Sequence, residues 1–523
     1  MKAGRPTAVS AFVIGAVALG GILRFEGLGV KDLSGDESFS WRMIQYPVGE
    51  MLHRLGDDVH PPLYYLTLKL WTSFFGESLG ALRGLSALLG TLAIVAACLL
   101  ATMIDRCPAP ADGSLESGPR AGVAATLLVA VSPFHVAYSR TARMYALGDF
   151  LAVLSTWLFL SLLQQPRPSA RRLFAYTLAA SGFLYTHYYS VFTIAGHGLA
   201  AVVACLAALR GGVGGLRRFV RLFAGLATAA LLYLPWLPSQ IGQMRSVWIR
   251  YWIPQLDGAT LLDLGCRFIS GLGYVSPVVA AIATAWGVLV VVGLLNGYRP
   301  GRFFLAAMIL APWIGGVGLA LFGKKTVLLE RYLLFAHLFY LIALAVVLAG
   351  TKPAPIRVCL LTMLVLGSIL GLNRGSGEEL WQGDRGSFEQ LVRKLSQRSS
   401  AGRRIVVGGA VLANSLLYHA SRSDDHLRLM VLGEPPADGG HEPYHASIPQ
   451  GDWLAASRLP DLGPEPITVV IDEDDGAQLT PLAGRGASSF EIISQNDGTR
   501  WHLVDYNPAG ARHATPKDLR EEQ

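Results

Sequence analysis

The 523-residue chain is 52% hydrophobic and only 15% charged, with a mean hydropathy of +0.41, a balance that excludes an ordinary soluble protein and marks a polytopic membrane protein. Its net charge of +7 does not indicate a nucleic-acid partner, because Arg and Lys fall mainly in short loops between apolar runs, where they set topology. The five cysteines are scattered, mostly within apolar segments and without CxxC spacing, which indicates neither a disulfide framework nor a zinc site.

Residues 7–23 form the first apolar run, behind Lys2 and Arg5, and without an evident small-x-small cleavage site they read as an uncleaved anchor. Further runs of spanning length lie near 80–103, 121–138, 145–163, 173–190, 191–209, 220–237, 277–296, 303–322, 331–350 and 356–372, making eleven. The segment 61–75 is apolar but short, carries Lys69 and begins with two prolines. Charge decides its role. If 61–75 does not cross and the N-terminus is cytoplasmic, then Arg106/Arg120, Arg167/Arg171/Arg172, Arg210/Arg217/Arg218/Arg221, Arg299/Arg302 and Lys352/Arg357 all fall inside. Letting it cross reverses every one of them. The outward loops are then 24–79, the turns near 138–145 and 185–190, the loops 238–276 and 323–331, and everything after 373.

The tail changes character, with Asp, Glu, Gly and Pro abundant, and reads as a soluble domain over 373–506 followed by a disordered end over 507–523. Strands are expected at Arg404–Val407, Leu427–Leu432 and Ile467–Ile471, a helix at Val411–Ala420 and a hairpin around Phe490–Val504. Gly408-Gly409 lacks the GxGxxG pattern of a nucleotide site and fits a tight strand-to-helix turn instead.

Polar clusters gather on the outer side. Asp36-Glu37 follows the first span; a solvated acidic loop is the plain alternative to a functional pair. Arg140 and Arg143 lie between two spans on the side that positive charge usually avoids, where an anionic partner such as a phosphate is an economical reason for them. Asp149, four residues past Tyr145, shares its helix face. Tyr185-Thr186-His187-Tyr188-Tyr189 reads first as an aromatic belt, though His187 is less easily dismissed. Lys324, Lys325 and Arg331 precede another span, and Trp248, Arg250, Tyr251 and Trp252 mark an interfacial helix or a lid. No Walker A sequence is present, so nucleotide-driven transport is unsupported.

Asp36-Glu37, His60-Pro61-Pro62-Leu63-Tyr64-Tyr65, Phe75-Gly76-Glu77, Ala81-Leu82-Arg83, Ser132-Pro133-Phe134-His135, Tyr138-Ser139, Ala142-Arg143-Met144-Tyr145 and Glu330-Arg331-Tyr332 together resemble the bacterial protein O-mannosyltransferase-like group of the GT-C superfamily of integral membrane glycosyltransferases. The similarity covers roughly residues 7–350. With the runs and the tail read above, it gives an α-helical polytopic protein, GT-C-like, with about eleven transmembrane helices over 1–372 and a small C-terminal extracytoplasmic α/β domain. It also implies transfer of a sugar from a polyprenyl-phosphate donor, outside the cytoplasmic (inner) membrane, to a protein, lipid or glycan acceptor.

On that resemblance Asp36 is the base that takes the acceptor proton, and Glu37 orients the acceptor or helps hold a divalent ion. Arg331, with Arg143 or Lys324, offsets charge on the departing phosphate. His60, Tyr64, Arg140, Tyr145 and His187 line the cavity. Relatives commonly carry an acidic residue where this chain has Thr141, so metal dependence stays open, with Asp36, Glu37 and Asp149 as the candidate ligands. A flippase for a lipid-linked sugar is the alternative, since the same cations would bind phosphate without chemistry.

Overall fold

The computed structural model describes residues 8–105, 120–165, 169–209, 213–249, 256–270, 286–288, 290–294, 300–323, 328–373, 387–400, 403–422, 427–432, 445–449, 452–454, 466–472, 487–494 and 500–506. The chain divides into two compact units. One comprises Met1–Leu28, His60–Pro238 and Ile253–Glu378; the other comprises Gly29–Val59, Ser239–Trp252 and Glu379–Gln523.

The first unit is a helix bundle. Its helices are α1 (Ala8–Phe25), α4 (Leu63–Phe75), α5 (Leu79–Asp105), α6 (Arg120–Val131), α7 (Pro133–Ser139), α8 (Tyr145–Gln164), α9 (Ala170–Leu184), α10 (Ser190–Leu209), α11 (Val213–Tyr233), α13 (Gly258–Ser270), α14 (Pro300–Gly323), α15 (Leu334–Gly350) and α16 (Ala354–Asn373); α2, α3 and α12 fall in the second unit, apart from the first residues of α12. Among the described residues six helices are long and apolar enough to cross a membrane, and α6 with α7 makes a seventh if a bent pair counts as one span. The protein is a multi-pass membrane protein. Of the eleven runs read from the sequence, 277–296 lies largely outside the described residues, while 7–23 and 191–209 correspond to α1, of 18 residues, and α10, of 20 residues.

Two apolar helices take opposite places. In α15 every residue from Leu334 to Ala349 is buried, so a helix that is apolar all round runs through the middle of the bundle against α5, α6 and α8. In α16 only 6% of the spanning window is buried, leaving its side chains for lipid. Helix α4 has 13 residues, about 20 Å at 1.5 Å per residue, short of a bilayer core of about 30 Å. It buries Tyr64, Tyr65, Leu68 and Thr72 and exposes Leu70, Phe74 and Phe75.

The α6–α7 pair bends by 60° at Ser132–Pro133. Proline has no N–H to give to the carbonyl four residues earlier, here that of Val129. The fully buried Arg24 of α1 serves it instead: its guanidinium donates to Val129 O and Ala130 O at 3.0 Å each, to Gly20 O at 2.9 Å and to Ser139 Oγ at 3.3 Å. An arginine inside the bundle is thus held by the carbonyls that the break releases.

The second unit is built on a six-stranded sheet in the order β3-β2-β1-β4-β6-β5, from β1 (Arg404–Val407), β2 (Leu429–Leu432), β3 (Trp453–Leu454), β4 (Ile467–Asp472), β5 (Ala487–Ser494) and β6 (Arg500–Tyr506). β1 pairs parallel with β2 and β4, β2 with β3, and β6 runs antiparallel to both β4 and β5. Both faces are covered in the manner of a mostly parallel sheet: Ile405, Val407 and Val470 face one core with α17 (Ser387–Ser400) and α18 (Ala410–Arg422), while Val406, Val469 and Val504 face another. The sequence-read strands and the helix after Gly408-Gly409 agree with these elements. Gly409 sits at φ +147°, a conformation suited to glycine at the strand-to-helix turn. The same unit contains α2 (Gly35–Gln45) and α3 (Val48–Gly56), with α2 packed on α18.

Candidate active site

In the helix bundle the sequence-read clusters converge around Arg143. This residue ends the turn after α7 and is 2% exposed. Its Nη1 donates to Tyr65 Oη at 3.2 Å, and its Nη2 lies 2.9 Å from His60 Nε2. Guanidinium offers only donors, so His60 Nε2 accepts there. The backbone is tied as well: Ser86 Oγ donates to Arg143 O at 3.3 Å and is 3.3 Å from Tyr64 Oη. Placing His60 and both tyrosines at the start of α4 follows from Pro61-Pro62, since proline fits a first helical turn and restrains the residue before it.

His187, in the short turn between α9 and α10, packs among Tyr145, Tyr332 and Phe335 at ring-centroid distances of 6.1, 5.4 and 5.1 Å. Burial pushes its imidazole down to about 3, and the positive charges of Arg143 and Arg331 push the same way. His187 is therefore a neutral ring within the field of two arginines. Arg331 lies on the turn Glu330–Leu333 with its guanidinium 5.9 Å from the Tyr332 ring centroid. Its neighbour Glu330 accepts from Tyr138 Oη at 3.3 Å and pairs with Arg267 at 3.3 Å, and Arg267 also pairs with Asp263.

Two candidates point elsewhere. Arg140 Nη1 donates to Leu23 O at 2.8 Å, binding its turn to the end of α1. Asp149 is buried in the bundle, its Oδ2 2.8 Å from His135 Nδ1, and His135 Nε2 is 3.0 Å from His337 Nδ1. This Asp149–His135–His337 chain joins α8, α7 and α15 and was not read from the sequence. The signal was available: two histidines and a carboxylate inside apolar runs. Tyr65, Ser86 and Arg267 were missed as well. Lys324 lies outside the described residues.

The acidic pair belongs to the other unit. Ser34 caps α2, its Oγ accepting from Glu37 N at 3.4 Å while Glu37 Oε2 accepts from Ser34 N at 3.0 Å. This reciprocal box fixes the helix start and buries Glu37 to 1% exposure. Asp36 is half-buried in the first turn, where a carboxylate matches the positive end of the helix dipole. Among the described residues no three His, Cys, Asp or Glu side chains converge to hold a metal ion.

The sequence matches no protein-family model and no curated protein. Solved structures do match. ArnT from Cupriavidus metallidurans in the apo state superposes with a TM-score of 0.63 at 15% identity, covering 97% of this chain and 100% of that one. The same protein bound to undecaprenyl phosphate gives 0.62 at 16% identity, covering 98% and 100%. The oligosaccharyltransferase AglB from Archaeoglobus fulgidus gives 0.49 at 14% identity, covering 94% of this chain and 74% of that one. The chain carries the fold of ArnT over nearly its whole length.

Proposed function

We propose that this chain is an inverting glycosyltransferase that moves a sugar from a polyprenyl phosphate to an extracytoplasmic hydroxyl. The observation that carries the reading is Arg143, buried and held by His60 and Tyr65, which with Arg331 places two guanidinium charges near the neutral His187. Such a pair suits a lipid phosphate: Arg offers a planar fork to phosphate oxygens, and fixed cations stabilise the charge that gathers on a departing phosphate. The binding of undecaprenyl phosphate by ArnT of the same fold supports this choice of donor lipid.

The acceptor oxygen attacks C1 of the sugar from the face opposite the phosphate. As that bond forms, the C1–O bond to phosphate breaks, its electron pair stays on the phosphate oxygen, and Asp36 takes the acceptor proton. Arg143 and Arg331 counter the phosphate charge, and Glu37 fixes the first turn from which Asp36 projects. A protein, lipid or glycan hydroxyl would each satisfy this chemistry.

The test is transfer by the purified protein in detergent from a panel of radiolabelled polyprenyl-phosphate sugars to a membrane extract, with Asp36→Asn alongside. The expected result is transfer from one donor, falling by at least about a thousandfold in the variant, with donor binding retained. Donor binding without transfer from any lipid, unchanged by Asp36→Asn, would favour the flippase.

A further inference from the structure

We infer that the buried turn His445–Ser447, together with Ile448, is a latch that positions the helix carrying Asp36, and that Tyr46, Arg54 and Asn414 are positioning residues for transfer. The inference deepens the proposed function and rests on Asp36 being the base.

Ala446, Ser447 and Ile448 are all at most 7% exposed, and buried carbonyls need donors. Among the described residues, side chains supply them. Tyr46, the residue that ends α2, donates from Oη to Ser447 O at 2.7 Å. Arg54 of α3 donates from Nη1 to Ala446 O at 3.1 Å and Ile448 O at 3.4 Å. Three consecutive carbonyls are thus taken by two side chains from the segment that contains Asp36.

Arg54 is itself held. Its Nε and Nη2 bond Glu50 Oε1 at 2.9 and 2.8 Å, and its guanidinium stacks 4.0 Å from the centre of the Tyr46 ring. From the sheet domain's side, Asn414 Nδ2 of α18 donates to Ser447 Oγ at 2.8 Å and fixes the turn. Helix α2 lies along α18, with Trp41 edge-on to Tyr418 at 5.3 Å and a Cβ at Gly35 falling 2.7 Å from Val411 Cγ1. Phe39, Met43 and Ile44 are buried beneath it. The helix is therefore seated along its length and pinned at its end, so that its first turn is carried as a rigid piece.

The experiment compares full-length wild type with Tyr46→Phe, Asn414→Ala and Arg54→Leu in detergent. Two quantities are read: transfer kinetics with the donor found above, and amide hydrogen exchange across residues 37–45. Tyr46→Phe removes one hydroxyl, and Asn414→Ala acts only from the sheet domain, so both mild variants retain the fold. In these two kcat falls about fivefold to twentyfold with the donor KM unchanged, and α2 exchanges faster. Faster exchange with unchanged kcat overturns the inference, as does unchanged exchange. So does a parallel loss of kcat and donor affinity, the mark of general unfolding. Failure of the base assignment is read separately, from full transfer by Asp36→Asn.

Discussion

Arg143 is fastened at two ends, its guanidinium to Tyr65 and His60 and its backbone carbonyl to Ser86. Lysine has no fork with which to meet both partners at once. Arg143→Lys should therefore raise the donor Kd about tenfold to a hundredfold, the scale of one charge-assisted hydrogen bond, measured as binding of a labelled polyprenyl phosphate. An unchanged Kd would remove Arg143 from the phosphate site. The sequence named this arginine among the candidates because its position on the side that positive charge avoids already demanded a reason. It did not separate Tyr64 from Tyr65, since adjacent helical residues differ by about 100° in direction and only packing shows that Tyr65 reaches Arg143 while Tyr64 reaches Ser86. Arg140 had the same signal as Arg143, yet its partner is a backbone carbonyl of Leu23, 117 residues earlier.

At the scale of elements, the run 121–138 reads as one span, although Pro133 within it is a helix breaker. What the sequence hides is how the break is satisfied, because Arg24 lies more than 100 residues away. The polar chain Asp149–His135–His337 joins the element after the break to α8 and α15, and Gly148 permits it. A Cβ on Gly148 would stand 2.6 Å from Phe335 Cζ, so a larger residue there would displace the Phe335 ring packed between α8 and α15. The first residues of α8 and the turn before α15 carry Tyr145 and Arg331. His135→Leu would strand Asp149 Oδ2 and His337 Nδ1 in the bundle. The expected cost is about 3 kcal/mol, measured as a lower thermal midpoint in detergent. His135→Gln, which keeps a polar end, should lose less. Equal midpoints for Leu and wild type would show that the chain is not a stabilising contact.

At the scale of the whole molecule, hydropathy identified a membrane protein but not which helices meet lipid: α15 and α16 look alike in sequence and differ in burial. The sheet domain was more legible, since runs such as Ile467–Ile471 stand out in a polar background. Helix α17 was not read, yet Phe388, Leu391, Val392 and Leu395 carry a helical stripe among charges, and all four are buried. Orientation is the whole-molecule property that the charges determine. Arg120, Arg171, Arg172, Arg221, Arg302, Lys352 and Arg357 occupy loops or helix ends that the positive-inside rule assigns to the cytoplasm. On that assignment we propose that residues 24–79 and the chain after 373 lie outside, where a lipid-linked sugar and an envelope acceptor would be met. Alkaline phosphatase fused after Gln523 should be active in intact cells, and green fluorescent protein at the same position should stay dark. The opposite pair of signals would place the sheet domain in the cytoplasm. Because α2 packs on that domain, it would take Asp36 with it and remove the ground for an extracytoplasmic acceptor.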